Sequence, residues 1–212
     1  EPFEHAFDAP VYQFCAFVDP DDEHIVTDAV SHSLTTRWCD LFCDIIPANG
    51  GKDLGVAATL ERLGIDYDRV SSDPADNMEK CAAVSAVLGM PICKNLFLCN
   101  RQKTKFYLLA MGPDKPFHTK DLSHQIGSAR LSFAPEEELW NLLHCTPGSA
   151  TVLGLMNDHE HAVTLLMERE VYEAEWFSCH PCICTSSLKL RTADLLNKFL
   201  PATGHTVTVV DL

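Results

Sequence analysis

The sequence predicts an α+β domain built on a mixed β-sheet. Short apolar segments of strand length alternate with segments of helical spacing, and the strands are joined both by tight polar turns and by helices, so hairpins and crossovers are both present. Gly, Pro and Asn mark the changes. At 212 residues, 46% hydrophobic and 8% aromatic, the chain can bury a sizeable core.

From the start, an apolar stretch, Val11 to Val18, runs into an acidic Pro-Asp-Asp turn, a helical segment is expected over Val26 to Ile46, and Pro47-Ala48-Asn49-Gly50-Gly51 reads as a boundary. Lys52 to Leu63 has helical spacing and ends at Gly64, and a strand follows over Ile65 to Val70. Asp76 with Glu79 forms a capping-box start for a helix over Met78 to Leu88, closed by Gly89. Cys93 to Leu98 and Lys105 to Ala110 read as strands of one hairpin, joined through Asn100 to Thr104. Helices are expected at Thr119 to Ile126 and at Pro135 to Leu143, the second with Pro at its first turn and three glutamates behind it. Beyond Pro147-Gly148, strands are expected at Thr151 to Leu155, Ala162 to Met167, Glu175 to Cys179, Ser186 to Leu190 and Thr206 to Val210, with a helix over Thr192 to Leu200. The domain division expected is therefore residues 1–50 as an N-terminal extension without an assigned role and residues 51–212 as the main domain.

Composition narrows the function. No run of 18 apolar residues could span a bilayer, and no basic start precedes an apolar stretch as in a signal peptide, so a cytoplasmic protein without a membrane partner is expected. The ten cysteines occur inside apolar segments as often as in loops, the pattern of free buried thiols in a reducing compartment. Cys39 with Cys43, and Cys179, His180, Cys182 and Cys184, are local groups, but the second is spaced more tightly than a zinc knuckle and has no paired knuckle. Asp158, His159, Glu160 and His161 fit a solvated hairpin turn between strands. No metal or other cofactor is expected, and no phosphate-binding Gly-rich loop, serine nucleophile elbow or nucleotide fingerprint is present.

The formal charge of −14 is unevenly spread. Residues 80–130 hold eight Lys and Arg (Lys80, Lys94, Arg101, Lys103, Lys105, Lys115, Lys120, Arg130) against two Asp, whereas both flanks are acidic. Such a segment suits a small phosphate-facing footprint, and equally a solvated hairpin face. Lys94 stands at the head of an apolar strand, either an edge residue reaching water or a charge kept for chemistry.

A set of ordered motifs then points to a family. Lys94-Asn95-Leu96-Phe97-Leu98, Ala129-Arg130-Leu131-Ser132-Phe133-Ala134, Thr146-Pro147-Gly148-Ser149-Ala150-Thr151, Gly154-Leu155-x-Asn157-Asp158, His180-Pro181 and Gly204-His205 together resemble the YbaK family, and within it the free-standing proteins that deacylate alanyl-tRNA(Pro). The likeness runs from about Lys52 to Leu212. It implies a mixed, strongly curved β-sheet flanked by helices, and a trans-editing hydrolase that cleaves the ester of mischarged aminoacyl-tRNA at the acceptor end, without DNA or cofactor. Such editing is needed because a synthetase pocket rejects a smaller amino acid by only about 1–3 kcal/mol.

The resemblance further implies that Lys94 holds the terminal phosphate or carbonyl region of the substrate as a charged positioning group, while a ribose hydroxyl helps to activate water. Asn95 is expected on the opposite strand face. Gly148, Ser149, Ala150, Thr151 and Val152 match the Gly-x-x-x-Pro loop that lines the aminoacyl pocket, with Val152 in place of the proline, and Asn157 is a further substrate-binding candidate. His180 is the second catalytic candidate; the polar residues expected after its proline are replaced by Cys182, Ile183 and Cys184. The alternative class is a non-catalytic module that binds aminoacyl-tRNA or an amino acid, with the cysteine-rich loop as a regulatory site.

Overall fold

The computed structural model describes residues 14–30, 32–47, 50–75 and 78–212, and divides into two compact units, Glu1–Leu54 and Gly55–Leu212. In the first unit, β1 (Phe14–Ala16), β2 (Ser33–Cys39) and β3 (Phe42–Pro47) form an antiparallel sheet in the order β1-β3-β2, preceding β2 by a helix α1 (Glu23–Ala29). The helix expected over Val26 to Ile46 is thus confined to its first residues, and the rest is a hairpin. Thr35 and Phe42 are β-branched or aromatic residues that favour a pleated surface, and the pairing of β2 with β3 prevails over the helical spacing. The capping pair Asp76 and Glu79 lies outside the described residues and side chains.

The second unit carries α2 (Lys52–Arg62) from Gly55 onward, β4 (Tyr67–Ser71), α3 (Met78–Leu88), the hairpin β5 (Lys94–Asn100) and β6 (Phe106–Met111), α4 (Thr119–Gln125), β7 (Leu131–Phe133) and α5 (Glu136–Leu143). A 3-10 helix (Val152–Asn157), β8 (Val163–Glu168), α6 (Arg169–Glu173), β9 (Trp176–Cys179), β10 (Ser186–Arg191), α7 (Thr192–Asp194), a π turn (Leu195–Phe199), α8 (Leu200–Ala202) and β11 (Val207–Val210) complete it. Five strands form a mixed sheet in the order β11-β8-β6-β5-β7, parallel at β11/β8 and β8/β6 and antiparallel elsewhere. Strands β4, β10 and β9 form a separate antiparallel sheet. The α+β class and the mixed sheet stand, but the strands are divided among separate sheets rather than drawn into one strongly curved sheet.

Both faces of the five-stranded sheet are covered. In β5, β6 and β8 alternate residues enter two cores: Phe97, Leu108, Ala110, Leu165 and Met167 the first, and Leu98, Tyr107, Leu109, Met111 and Leu166 the second. Burial on both sides explains why these strands read as unbroken apolar runs. The first core is closed by Leu139 and Leu143 of α5, Phe177 of β9 and the 3-10 segment, the second by Leu122 of α4 and Val210 of β11.

The Thr151 to Leu155 strand is replaced by the 3-10 helix. Thr151 caps it by accepting the Leu153 N–H at 3.3 Å, and Val152, Leu153 and Leu155 are buried, so the run shows no alternation that would separate strand from helix. Gly154 packs closely here: a Cβ would lie 3.1 Å from both the Cys145 Sγ and the Leu143 carbonyl, which would have to give way. The last helix loosens into its π turn just before Pro201, which has no N–H to donate.

Candidate functional site

Lys94 opens β5 opposite Met111, and the strand alternation places it on the face of the second core and Asn95 on the face of the first. Its half-buried ammonium donates to the Lys115 carbonyl at 3.3 Å. Lys115 is itself anchored. Its ammonium pairs with Glu168, which is 1% exposed, and with Glu170 at 2.9 Å, while the Gly112 N–H donates to Glu168 Oε2 at 2.8 Å. The hydrogen bonds that it donates to Glu168 and then to Glu170 hold the Lys115 pKa above its ordinary value. Lys115, counted with the basic segment in the sequence, is therefore not an open cation but the clamp on the segment that fixes Lys94. Glu168 is absent from the sequence-derived site; its signal is the same as that of Lys94, one charge at the end of an apolar strand.

The start of β5 is stitched to β9 by the Cys93 N–H donating to the Ser178 carbonyl at 3.3 Å and by Ser178 Oγ donating to the Pro91 carbonyl at 2.6 Å. Two residues beyond Ser178, His180 is 5% exposed, with Nδ1 at 2.8 Å from the Ser186 carbonyl. A carbonyl only accepts, so Nδ1 carries the proton and Nε2 presents a lone pair. Burial pushes the His180 pKa down, partly opposed by the Ser186 carbonyl, so the ring is neutral at pH 7. The Thr151 hydroxyl hydrogen-bonds the Cys179 thiol, bringing the 146–157 loop to the same seam. Among the described residues Lys94 and His180 are not hydrogen-bonded to each other.

The remaining candidates divide by what their side chains do. The Asn95 amide donates to the Cys93 carbonyl at 3.2 Å, but its Oδ1 is buried with no partner. Ser149 Oγ accepts the Thr146 N–H and donates to the Thr146 carbonyl, both at 3.0 Å, and Asn157 donates to the Leu143 carbonyl at 3.1 Å, so both side chains hold the loop together. Gly148, at φ 84°, is exposed and turns the chain where a side chain would be strained. Ala150 packs against the first core and Val152 lies inside it.

The two cysteines at the seam of β5 and β9 are protonated thiols. Burial raises the Cys179 thiol to about 12, and desolvation raises Cys93 as well, so neither is a thiolate at neutral pH. Among the described residues no three His, Cys, Asp or Glu side chains converge as a metal would require. The solvated turn expected at Asp158 is corrected: Asp158 is 3% exposed and accepts the Ala162 N–H, the Val163 N–H and a bond from His205 Nε2 at 2.9, 2.8 and 3.1 Å. A cavity of about 640 Å³ bounded by Tyr172, Glu175, Arg191, Thr192 and Asn197 contains none of the candidate residues.

A family profile described as the aminoacyl-tRNA editing domain matches residues 72–198, which include Lys94, the 146–157 loop and His180. The chain belongs to the aminoacyl-tRNA editing domain family. Within that family it is 29% identical over 157 residues to the prolyl-tRNA editing protein ProX of Acetoanaerobium sticklandii, covering 74% of this chain and 95% of that one. It is also 29% identical over 153 residues to the prolyl-tRNA synthetase associated domain-containing protein 1 of Danio rerio, covering 71% and 82%. Among solved structures, a candidate trans-editing enzyme for prolyl-tRNA synthetase aligns over 77% of this chain and 98% of its own, with a TM-score of 0.57 at 14% identity, a likeness of fold. No helix among the described residues is long and apolar enough to cross a membrane.

Proposed function

We propose that residues 51–212 act in the cytoplasm as a trans-editing hydrolase on mischarged aminoacyl-tRNA, with alanyl-tRNA(Pro) as the first substrate. The reading rests above all on one observation inside the stretch that matches the editing family: a Lys94 ammonium at the head of β5 that is anchored by a carbonyl and not by a carboxylate. An ammonium has three N–H donors, of which Lys115 takes one, so two remain for the terminal phosphate or the ester carbonyl.

An aminoacyl ester needs little activation. Water is added to the carbonyl, the tetrahedral oxyanion is met by donors, and the ribose oxygen leaves with a proton. The neutral Nε2 of His180 is suited to accept a hydrogen bond from the attacking water or the ribose hydroxyl, and the backbone of Gly148 to Val152 to border the aminoacyl group. Release of labelled alanine from alanyl-tRNA(Pro), with prolyl-tRNA(Pro) and other small aminoacyl-tRNAs alongside, tests the reading. Selective hydrolysis of the alanyl ester is expected; tRNA binding without hydrolysis of any ester would make the chain a binding module.

A further inference from the structure

Within the reading just proposed, the cations of the middle segment that remain open are gathered at one end of the five-stranded sheet. Lys115, Arg169, Arg191 and Lys198 are each paired with carboxylates. Arg101, Lys103, Lys105, Lys120 and Arg130 are exposed and enter no ion pair among the described residues, in a chain of net charge −14.

Two pieces of local structure hold these five in place. The buried Asn100 side chain templates the β5–β6 turn: its Oδ1 accepts the Thr104 and Lys105 N–H groups at 2.9 and 3.2 Å, and its Nδ2 donates to Thr104 Oγ1 at 3.0 Å. The Lys103 N–H donates to the Asn100 carbonyl at 2.9 Å. Arg101, Lys103 and Lys105 thus project from a turn of fixed form. In the β5/β7 register Asn100 faces Leu131, which sets Arg130 beside Arg101. Ser123 Oγ accepts the Leu131 N–H at 3.1 Å, joining α4 to β7, and a cavity of about 430 Å³ is shared by Thr119, Lys120, Ser123 and Arg130. Asp121 is the acid closest in sequence, and no ion pair joins it to any of the five.

We propose that this end of the sheet is a phosphate-contacting surface for the acceptor-stem duplex of tRNA. Unpaired cations on a turn of fixed form suit a row of phosphodiesters, which is read through charge and position rather than base identity. The surface also lies at a useful separation from the chemistry. Six residue steps along β5 separate Lys94 from Asn100, roughly 20 Å at the strand rise, so a duplex seated at the turn leaves its single-stranded 3′ end to run along the sheet to Lys94.

The test uses the full chain, uncharged tRNA(Pro) as the binding probe, and 3′-alanyl-adenosine as a substrate too small to reach the surface. Arg101→Glu with Arg130→Glu is expected to weaken tRNA binding at least tenfold at 0.1 M salt. It is also expected to make the dependence of log K on log salt shallower by about 2, one unit for each lost phosphate contact, with hydrolysis of alanyl-adenosine unchanged. Lys103→Gln with Lys105→Gln, at exposed turn positions, gives the same reading should the first pair lower the Tm. Wild-type affinity and salt dependence in both pairs would overturn the surface while leaving the hydrolytic reading intact. Loss of binding in a chain that hydrolyses neither ester would uphold the surface and overturn the hydrolase.

Discussion

The Lys94 ammonium is useful because it is held but not neutralised. Its partner is a carbonyl, and the carboxylates of Glu168 and Glu170 are taken up by Lys115. A direct carboxylate contact would have cancelled the charge needed for a phosphate or a developing oxyanion. His180 follows the opposite logic, since burial keeps it neutral. Its folded pKa lies below the ordinary 6.5, so as pH falls the unfolded chain takes up the proton first. The contribution is whole above pH 6.5 and declines below it, by up to about 1.4 kcal/mol per pH unit until the folded ring titrates. In His180→Asn, whose amide can still donate to the Ser186 carbonyl, that decline is absent. Denaturant unfolding of both proteins from pH 7.5 to 5 is therefore expected to show the stability advantage of the wild type shrinking as pH falls. At this scale the sequence was legible for the placement of Lys94, a charge at the head of an apolar strand, whereas His180 enters through the family resemblance. It was not legible for Glu168 or Asp158, whose value lies in partners distant in sequence: Gly112 and Lys115 for one, His205 for the other.

At the scale of elements, the 3-10 helix shows how the loop seats Val152 at the position where the resemblance implies a proline. Val152 is the first residue of that helix, where the N–H has no helical acceptor, and Thr151 before it is extended at φ −156° and ψ 151°, a conformation that also suits a residue preceding proline. Val152→Pro is therefore expected to fold and to gain about 0.4–1 kcal/mol in denaturant unfolding through a stiffer unfolded chain. The end of the same helix is pinned by Asp158. Asp158→Ala leaves two backbone N–H groups and the His205 ring without their acceptor, and a loss of about 2–3 kcal/mol in the same measurement is expected. The hairpin of β5 and β6 was readable in the sequence because a polar turn separates two apolar runs. The 3-10 segment was not, because burial on every side erases the periodicity that distinguishes strand from helix. Within residues 32–46 the strands are hidden for a different reason: their pairing depends on a neighbouring strand that sequence spacing does not reveal.

For the whole molecule, charge is organised by what is paired and what is not. Composition shows the acidic total and the basic middle segment, but only the structure separates the clamped Lys115 from the open cations at the β5–β6 turn. The mixed sheet supplies the frame: it brings the head of β5 beside β9 and carries the basic turn at its other end. In the proposed function Lys94 positions the ester for hydrolysis. The most direct measurement is the single-turnover rate of alanine release from alanyl-tRNA(Pro) by the wild type and by Lys94→Ala, with the Tm of each recorded. A fall of at least a hundredfold in rate, with the Tm and the affinity for uncharged tRNA retained, is the expected result. Undiminished alanine release by Lys94→Ala would contradict it and move the chemistry to other residues of the site.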